Sequence, residues 1–249
     1  MASSMNMTGV MFRDKNMSPT SNRGSPKTHS CEHCQTRKQS LFCSLKEQQI
    51  DFIDQSKFQT RFRPGQYLFY SGNPATGIYC ITSGTIKLES TDQNGKAHLI
   101  QIFSSGSLIG YRALFSEEPY QSSAIVTEDA EVCYIPKATI LELIQKDPSL
   151  AMNFLMQLSN DFRLMEQRLQ RVSSHSAAER IAEALLFLRE NFHEKNWTRK
   201  EIAEWASTTP ETVIRTLAEF EDEGLIEQKG RAIRILNRSK MLERARIGF

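Results

Sequence analysis

Residues 197–224 constrain the chain more than any other stretch, because they spell out two short helices and the turn between them. Thr198-Arg199-Lys200-Glu201 is a capping box, in which the threonine side chain accepts an early backbone N–H and the glutamate reaches back to the threonine's own N–H. Ile202, Ala203 and Ala206, with Trp205 beside them, give the first helix a small apolar face. Ser207-Thr208-Thr209 breaks the periodicity, Thr209 is a good N-cap, and Pro210 sits where a helix tolerates proline. The spacing predicts a second helix from Pro210 to Asp222, stopped by Gly224. Val213, Leu217 and Phe220 form its buried stripe, and Glu211 and Arg215 project from the opposite side, near the small Ala218.

This is a helix-turn-helix pattern. Leu225–Gln228 and Arg231–Ile235 flank Lys229-Gly230 and predict a hairpin, the wing of a winged helix. The plain alternative is a helical hairpin whose Glu211–Arg215 pair is worth a few tenths of a kcal/mol. The cap, the proline and the basic wing together favour the first reading.

At 249 residues the chain suits two domains. Thirty-one basic against 29 acidic residues leave a net charge of +2, so attraction to nucleic acid must come from local clustering at Arg215, Lys229, Arg231 and Arg234. No apolar run is long enough to cross a bilayer, and the N-terminal stretch lacks the apolar core of a signal peptide. Five cysteines in such a chain predict thiols or metal ligands in a reducing cytoplasm.

Residues 1–30 are rich in Ser, Asn, Thr and Met without periodicity and predict a disordered tail. Residues 31–147 hold Cys31-Glu32-His33-Cys34, Cys43, a short amphipathic segment, and then closely spaced β segments from Phe58 to Pro136. Asn94-Gly95 marks a hairpin turn between two of them. Together they predict a small antiparallel barrel or jelly roll. Residues 148–172 predict one long helix in which Leu155, Leu158, Phe162, Met165, Leu169 and Val172 recur by threes and fours as a heptad seam. Packing on the chain's own barrel is the alternative to pairing with a second copy. Ser173–Ser176 reads as a hinge, and helix resumes from Ala177 to Asn191 in the C-terminal portion, residues 173–249.

The recognition-helix pair Glu211 and Arg215, the wing, and Gly65, Gly84, Gly106 and Gly110 in the barrel resemble the family of the cyclic-AMP receptor protein and the fumarate–nitrate reduction regulator. The resemblance covers about residues 31–240 and implies an α+β protein. Its expected parts are a cyclic-nucleotide-binding-like barrel, a dimerisation helix and a winged helix-turn-helix. It implies a homodimeric transcription regulator that binds a palindromic operator, with RNA polymerase as a further partner, no membrane association and no catalysis. Paired recognition helices would then lie about one DNA turn apart. The expected DNA-facing residues are Thr208, Thr209, Glu211, Thr212, Ile214, Arg215, Lys229 and Arg231. An arginine can donate twice to guanine, and a glutamate can accept from cytosine. Ile214 stands where the oxygen-sensing branch usually has serine.

Cyclic-AMP binders carry a Gly-Glu pair for the ribose and an arginine for the phosphate. Here Gly110-Tyr111 and Ser122-Ser123 stand in those places, which argues against cyclic AMP. The oxygen-sensing branch implies a four-iron–four-sulfur cluster. Cys31, Cys34 and Cys133 match three of its ligands, while the third place in the N-terminal run holds Ser40, with Cys43 three residues on. Cysteine spacing alone leaves three readings open: a cluster on Cys31, Cys34, Cys43 and Cys133, zinc on Cys31, Cys34, Cys43 and either His33 or Cys133, or no metal at all. A redox enzyme built on Cys31-x-x-Cys34 is disfavoured, because no βαβ pattern follows the motif.

Overall fold

The structure, a computed structural model, describes residues 30–93, 95, 97–192 and 196–246. Residues 1–29 of the expected tail (residues 1–30) and Asn94 of the expected hairpin turn lie outside the described residues; Ser30 is described and caps the turn that follows, its Oγ accepting from Glu32 N at 3.2 Å. A short N-terminal segment leads into α1 (Glu47–Ser56) and then eight strands. These are β1 (Phe58–Phe62), β2 (Tyr67–Phe69), β3 (Gly77–Ser83), β4 (Ile86–Thr91), β5 (Ala97–Phe103), β6 (Leu108–Ile109), β7 (Ser123–Val126) and β8 (Ala130–Pro136), with α2 (Tyr111–Ser116) between β6 and β7.

The strands form two four-stranded sheets, β1-β8-β3-β6 and β2-β7-β4-β5, and every pair is antiparallel. This is the jelly roll that the short, glycine-punctuated strands predict. Gly84 shows why glycine is needed at one corner. Its φ is +86°, and a Cβ there would lie 2.4 Å from the Asp129 carbonyl oxygen.

Period-two alternation divides β3 and β8 between two cores. Ile81 and Val132 face the sandwich interior with Ile86, Ile109 and Val126. Ile78, Cys80, Cys133 and Ile135 point the other way, into a second core closed by Phe42, Ile50 and Ile53. Leu143 of α3 (Lys137–Lys146) and Leu150 and Phe154 of α4 (Pro148–Ser174) complete that core.

Asp147 caps α4 by accepting from Ser149 N at 3.1 Å, and Pro148 fills its first turn. At 27 residues α4 is about 40 Å long. It runs two residues past the expected seam, so Ser173 and Ser174 are helical and the break falls at His175. Ser176 then opens α5 (Ala177–Asn191) through a capping box with Glu179.

The C-terminal portion continues with α6 (Arg199–Trp205), α7 (Pro210–Asp222), the hairpin β9 (Ile226–Lys229) and β10 (Ala232–Ile235), and α8 (Arg238–Arg244). Ile181, Leu185, Ile202, Val213, Leu217, Phe220 and Met241 form its core, and Leu99 and Ile102 of β5 belong to the same cluster. The helical head is therefore docked on the edge strand of one barrel sheet.

Candidate functional site

The reading helix α7 is set by local chemistry. Thr209 Oγ1 accepts from Thr212 N at 3.3 Å, and Pro210 follows at the first turn. At the other end Gly224 (φ +67°) donates to Glu221 O at 2.9 Å and Leu225 N to Phe220 O at 2.8 Å, the paired bonds of a Schellman stop. Val213, Thr216, Leu217 and Phe220 are buried. Glu211, Ile214 and Arg215 are exposed on the outer face, with Thr209 at its start and Thr208 and Thr212 half-buried beside them. Arg215 lies 3.9 Å from Glu219, a loose pairing that leaves the guanidinium in solvent. Hydrogen bonds from its own backbone N–H and from Thr209 hold the Glu211 carboxyl below its usual pKa, so it is an anionic acceptor at neutral pH.

The turn before α7 is also a Schellman ending, built without glycine. Ser207 takes φ +50°, its N–H donating to Glu204 O at 3.4 Å and that of Thr208 to Ala203 O at 2.9 Å. One side chain braces this turn. Arg180 donates to Ala206 O at 2.7 Å, Ser207 O at 3.1 Å and His175 O at 2.6 Å.

The wing turns at Gly230 (φ +61°) and Arg231, one residue later than the sequence pattern suggests, because Ala232 pairs with Lys229. Gly230 holds the first loop position, where a II′ turn takes glycine. Arg199 reaches the wing at Gln228 Oε1 (2.6 Å) and Arg231 O (3.1 Å), while Glu221 of α7 accepts from Gln228 N at 2.7 Å. Lys229 and Arg231 are exposed at its tip.

Along α4, Leu155, Phe162, Met165, Leu169 and Val172 are exposed, Phe162 by 66% and Leu169 by 70%. Leu158 differs from these, since it packs half-buried against the core under the barrel. The seam read from spacing thus contains five exposed apolar positions and one that the chain covers itself.

Two cavities lie in the N-terminal portion, beside the residues singled out in the sequence. The first, about 290 Å³, is lined by Phe69, Leu88, Gly110, Tyr111, Ser122 and Asp161, among others. Tyr111 is buried there and donates its hydroxyl to the Asp161 carboxylate of α4, so the first turn of α2 touches the long helix directly.

The second cavity, about 270 Å³, is bordered by Cys31, Cys34, Cys80 and Cys133. Cys43 does not border it and is exposed on a turn, its N–H donating to Ser40 O at 3.1 Å. Ser40 is a buried turn residue that donates to Arg37 O at 2.8 Å and accepts from Phe42 N at 3.2 Å. Lys57 enters the cavity with its side chain only 2% exposed. Its ammonium pairs with Asp54 at 2.6 Å and donates to Cys31 Sγ at 3.1 Å. Burial alone would lower the Lys57 pKa, but Asp54 and Cys31 hold it above its usual value. Burial pushes the Cys133 thiol up to about 12 against the pull of Lys57. His33 borders the cavity but is mainly solvent-exposed beside Glu32.

Two family models match the chain in tandem: the cyclic nucleotide-binding domain over residues 59–147 and the Crp-like helix-turn-helix domain over residues 179–244. The chain belongs to the CRP/FNR family of transcription regulators. It is 29% identical over 226 residues to the fumarate and nitrate reduction regulatory protein of Vibrio cholerae, covering 86% of this chain and 90% of that one. It is 28% identical to the transcriptional activator protein anr of Pseudomonas aeruginosa, covering 86% and 91% respectively. Among solved structures, a CRP/FNR-family regulator from Thermus thermophilus matches with a TM-score of 0.66 at 25% identity, over 76% of this chain and 98% of that one. FixK2 from Bradyrhizobium japonicum shares the fold, with a TM-score of 0.67 at 19% identity over 75% of this chain and 96% of that one. These relatives are regulators rather than enzymes.

Within this CRP/FNR-family member, several working residues lie outside the motifs. Arg168 of α4 donates to Leu99 O at 2.9 Å, to Ile100 O and to Trp205 O at 3.3 Å, and its guanidinium carbon sits 4.9 Å from the Trp205 ring centroid. Lys87 of β4 approaches Glu204 of α6 at 3.9 Å. Arg171 pairs with Glu183 across the break after α4. A basic residue beside a heptad seam carries no signal for such roles. Among the described residues no helix is long and apolar enough to cross a membrane.

Proposed function

We propose that the chain is a homodimeric, sequence-specific regulator acting in the cytoplasm, reading a palindromic operator and passing the outcome to RNA polymerase. The observation that carries this reading is the presence of two exposed surfaces on one chain. One is the Glu211–Ile214–Arg215 face of α7, with Lys229 and Arg231 on the wing. The other is the apolar row Leu155, Phe162, Met165, Leu169 and Val172 on α4. A row of that kind is stabilised by pairing with its own copy, which sets two reading helices about one DNA turn apart. On this reading residues 148–172 are the dimerisation element, residues 31–147 the sensory part and residues 173–249 the DNA-binding part.

The proposed input is oxygen or redox state, sensed at the cysteine cavity. The residues present fit an iron–sulfur cluster there, because soft donors line one cavity on the same core that seats α4. Cys31, Cys34 and Cys133 would hold it with a fourth thiol. When bound, such a cluster would supply a centre that persists without oxygen and that oxygen oxidises. The Lys57 ammonium offsets negative charge on the thiolates, and Phe42, Ile50 and Ile53 keep water from that wall. Cyclic AMP is not the proposed input, since Tyr111 and Ser122 occupy the places of its expected partners.

The test combines light scattering with a gel-shift titration against a palindromic duplex. Arg215→Ala is expected to weaken specific binding by about 1–3 kcal/mol and to relax preference at one base pair. Leu169→Glu is expected to yield single chains that bind the duplex weakly. Operator affinity unchanged by the first, or dimers unchanged by the second, rejects the corresponding half of the reading.

A further inference from the structure

We propose that Cys80, and not the exposed Cys43, is the fourth thiol of the cluster site, so that the ligand set of this chain is Cys31, Cys34, Cys80 and Cys133. The inference rests on the cluster reading above and concerns which residues serve it. Its first support is register. Cys80 of β3 and Cys133 of β8 are directly opposed in an antiparallel pair, so both side chains lie on one face of the sheet. That face is the one covered by the N-terminal segment, where Cys31 and Cys34 occupy a short turn and its cap.

The second support is the wall itself. All four sulfur-bearing residues border the same cavity, and Cys43 does not. The segment that carries the N-terminal pair is tied to α1 by Cys31 N donating to Asp54 at 2.9 Å and is braced internally by Arg37 donating to Cys31 O at 2.9 Å and Phe42 O at 3.2 Å. Bringing Cys43 inward would break the Cys43 N–Ser40 O bond, while Cys80 needs no backbone movement to face the space.

The third support is charge. A buried ammonium needs more than apolar neighbours, and Lys57 is directed at Asp54 and at the Cys31 sulfur. That ammonium would offset the negative charge left on the sulfurs once they ligate a cluster. Ligation replaces each S–H by an S–Fe bond and passes the proton to solvent.

The experiment is anaerobic reconstitution of the full chain with ferrous iron and sulfide, read by iron and sulfide content, visible absorption and electron paramagnetic resonance after reduction. With five cysteines in the chain, a Cys43→Ser variant that still holds about four irons leaves Cys80 as the remaining fourth thiol. That is the expected result, together with loss of the four-iron spectrum in Cys80→Ala at unchanged far-ultraviolet circular dichroism. Because Cys43 is exposed, its variant decides the matter even where Cys80→Ala misfolds. Loss of iron from Cys43→Ser, or a full complement in Cys80→Ala, overturns the assignment and leaves the cluster reading standing. A wild-type chain that takes up no iron overturns both.

Discussion

Replacing Arg168 by methionine tests how the head is held against the barrel. The arginine leaves α4, crosses to the outer edge of β5 and also reaches the end of α6. Strand β5 is an edge strand in the order β2-β7-β4-β5, so the Leu99 and Ile100 carbonyls receive from the guanidinium what a further strand would otherwise supply. Hydrogen bonds involving a charged group contribute about 1.5–3 kcal/mol each, and stacking on an indole about 0.5–1 kcal/mol. Against this stand the guanidinium's desolvation on burial and the rehydration of edge carbonyls once it is gone. Netting these, Arg168→Met is expected to cost about 3 kcal/mol. For a chain of this size that corresponds to a melting midpoint lower by about 6–12 °C. Scanning calorimetry measures it, and the emission of Trp205 reports whether its ring has become more exposed. Arg163→Met is the control, since Arg163 is exposed and bonds only to Asn160 in its own helix, at 2.7 Å. A midpoint change of less than about 2 °C in Arg168→Met, with unaltered emission, would refute the idea that this side chain joins the three elements.

Two other substitutions probe the turn and the interface. Ser207→Gly removes the strain of a serine at φ +50° and is expected to raise stability by about 0.5–1 kcal/mol in denaturant titration; a loss of stability would contradict this. Glu204 is largely buried, and burial, with Glu89 and Glu201 adding to it against Lys87 and Lys200, raises its pKa. Its Oε2 has no hydrogen-bond partner among the described residues. A carboxyl whose folded pKa lies above its unfolded value destabilises the fold while ionised, and protonation relieves that. The wild type is therefore expected to gain on Glu204→Gln as pH falls from about 7 towards the ordinary glutamate value of 4.5, and parallel pH profiles would exclude the effect.

What could be read from the sequence was what is fixed by neighbours in the chain. Thr198 with Glu201, Thr209 before Pro210, and Gly224 each act within one turn, and the structure places helix ends where those residues put them. The jelly roll was legible because turn residues cut the strands to length. The wing slipped by one residue because Lys229-Gly230-Arg231 offers two adjacent two-residue loops, and only the Ala232–Lys229 pairing distinguishes them. Of the cysteine wall, Cys31, Cys34 and Cys133 were named through the resemblance, but the place of Cys80 beside them was not legible. Ile78-Tyr79-Cys80-Ile81 is apolar on both faces, so alternation gives no parity, and β3 meets β8 across about fifty residues of chain. Leu158 reads as one more heptad position until the core beneath it is seen.

The Arg180 clamp changes how the joint after α4 should be viewed. One planar cation grips His175 O at the break and the carbonyls of Ala206 and Ser207 just before the reading helix. A swivel held in this way transmits torque instead of absorbing it. Rotation at the end of the long helix would carry the start of α7 with it as one lever.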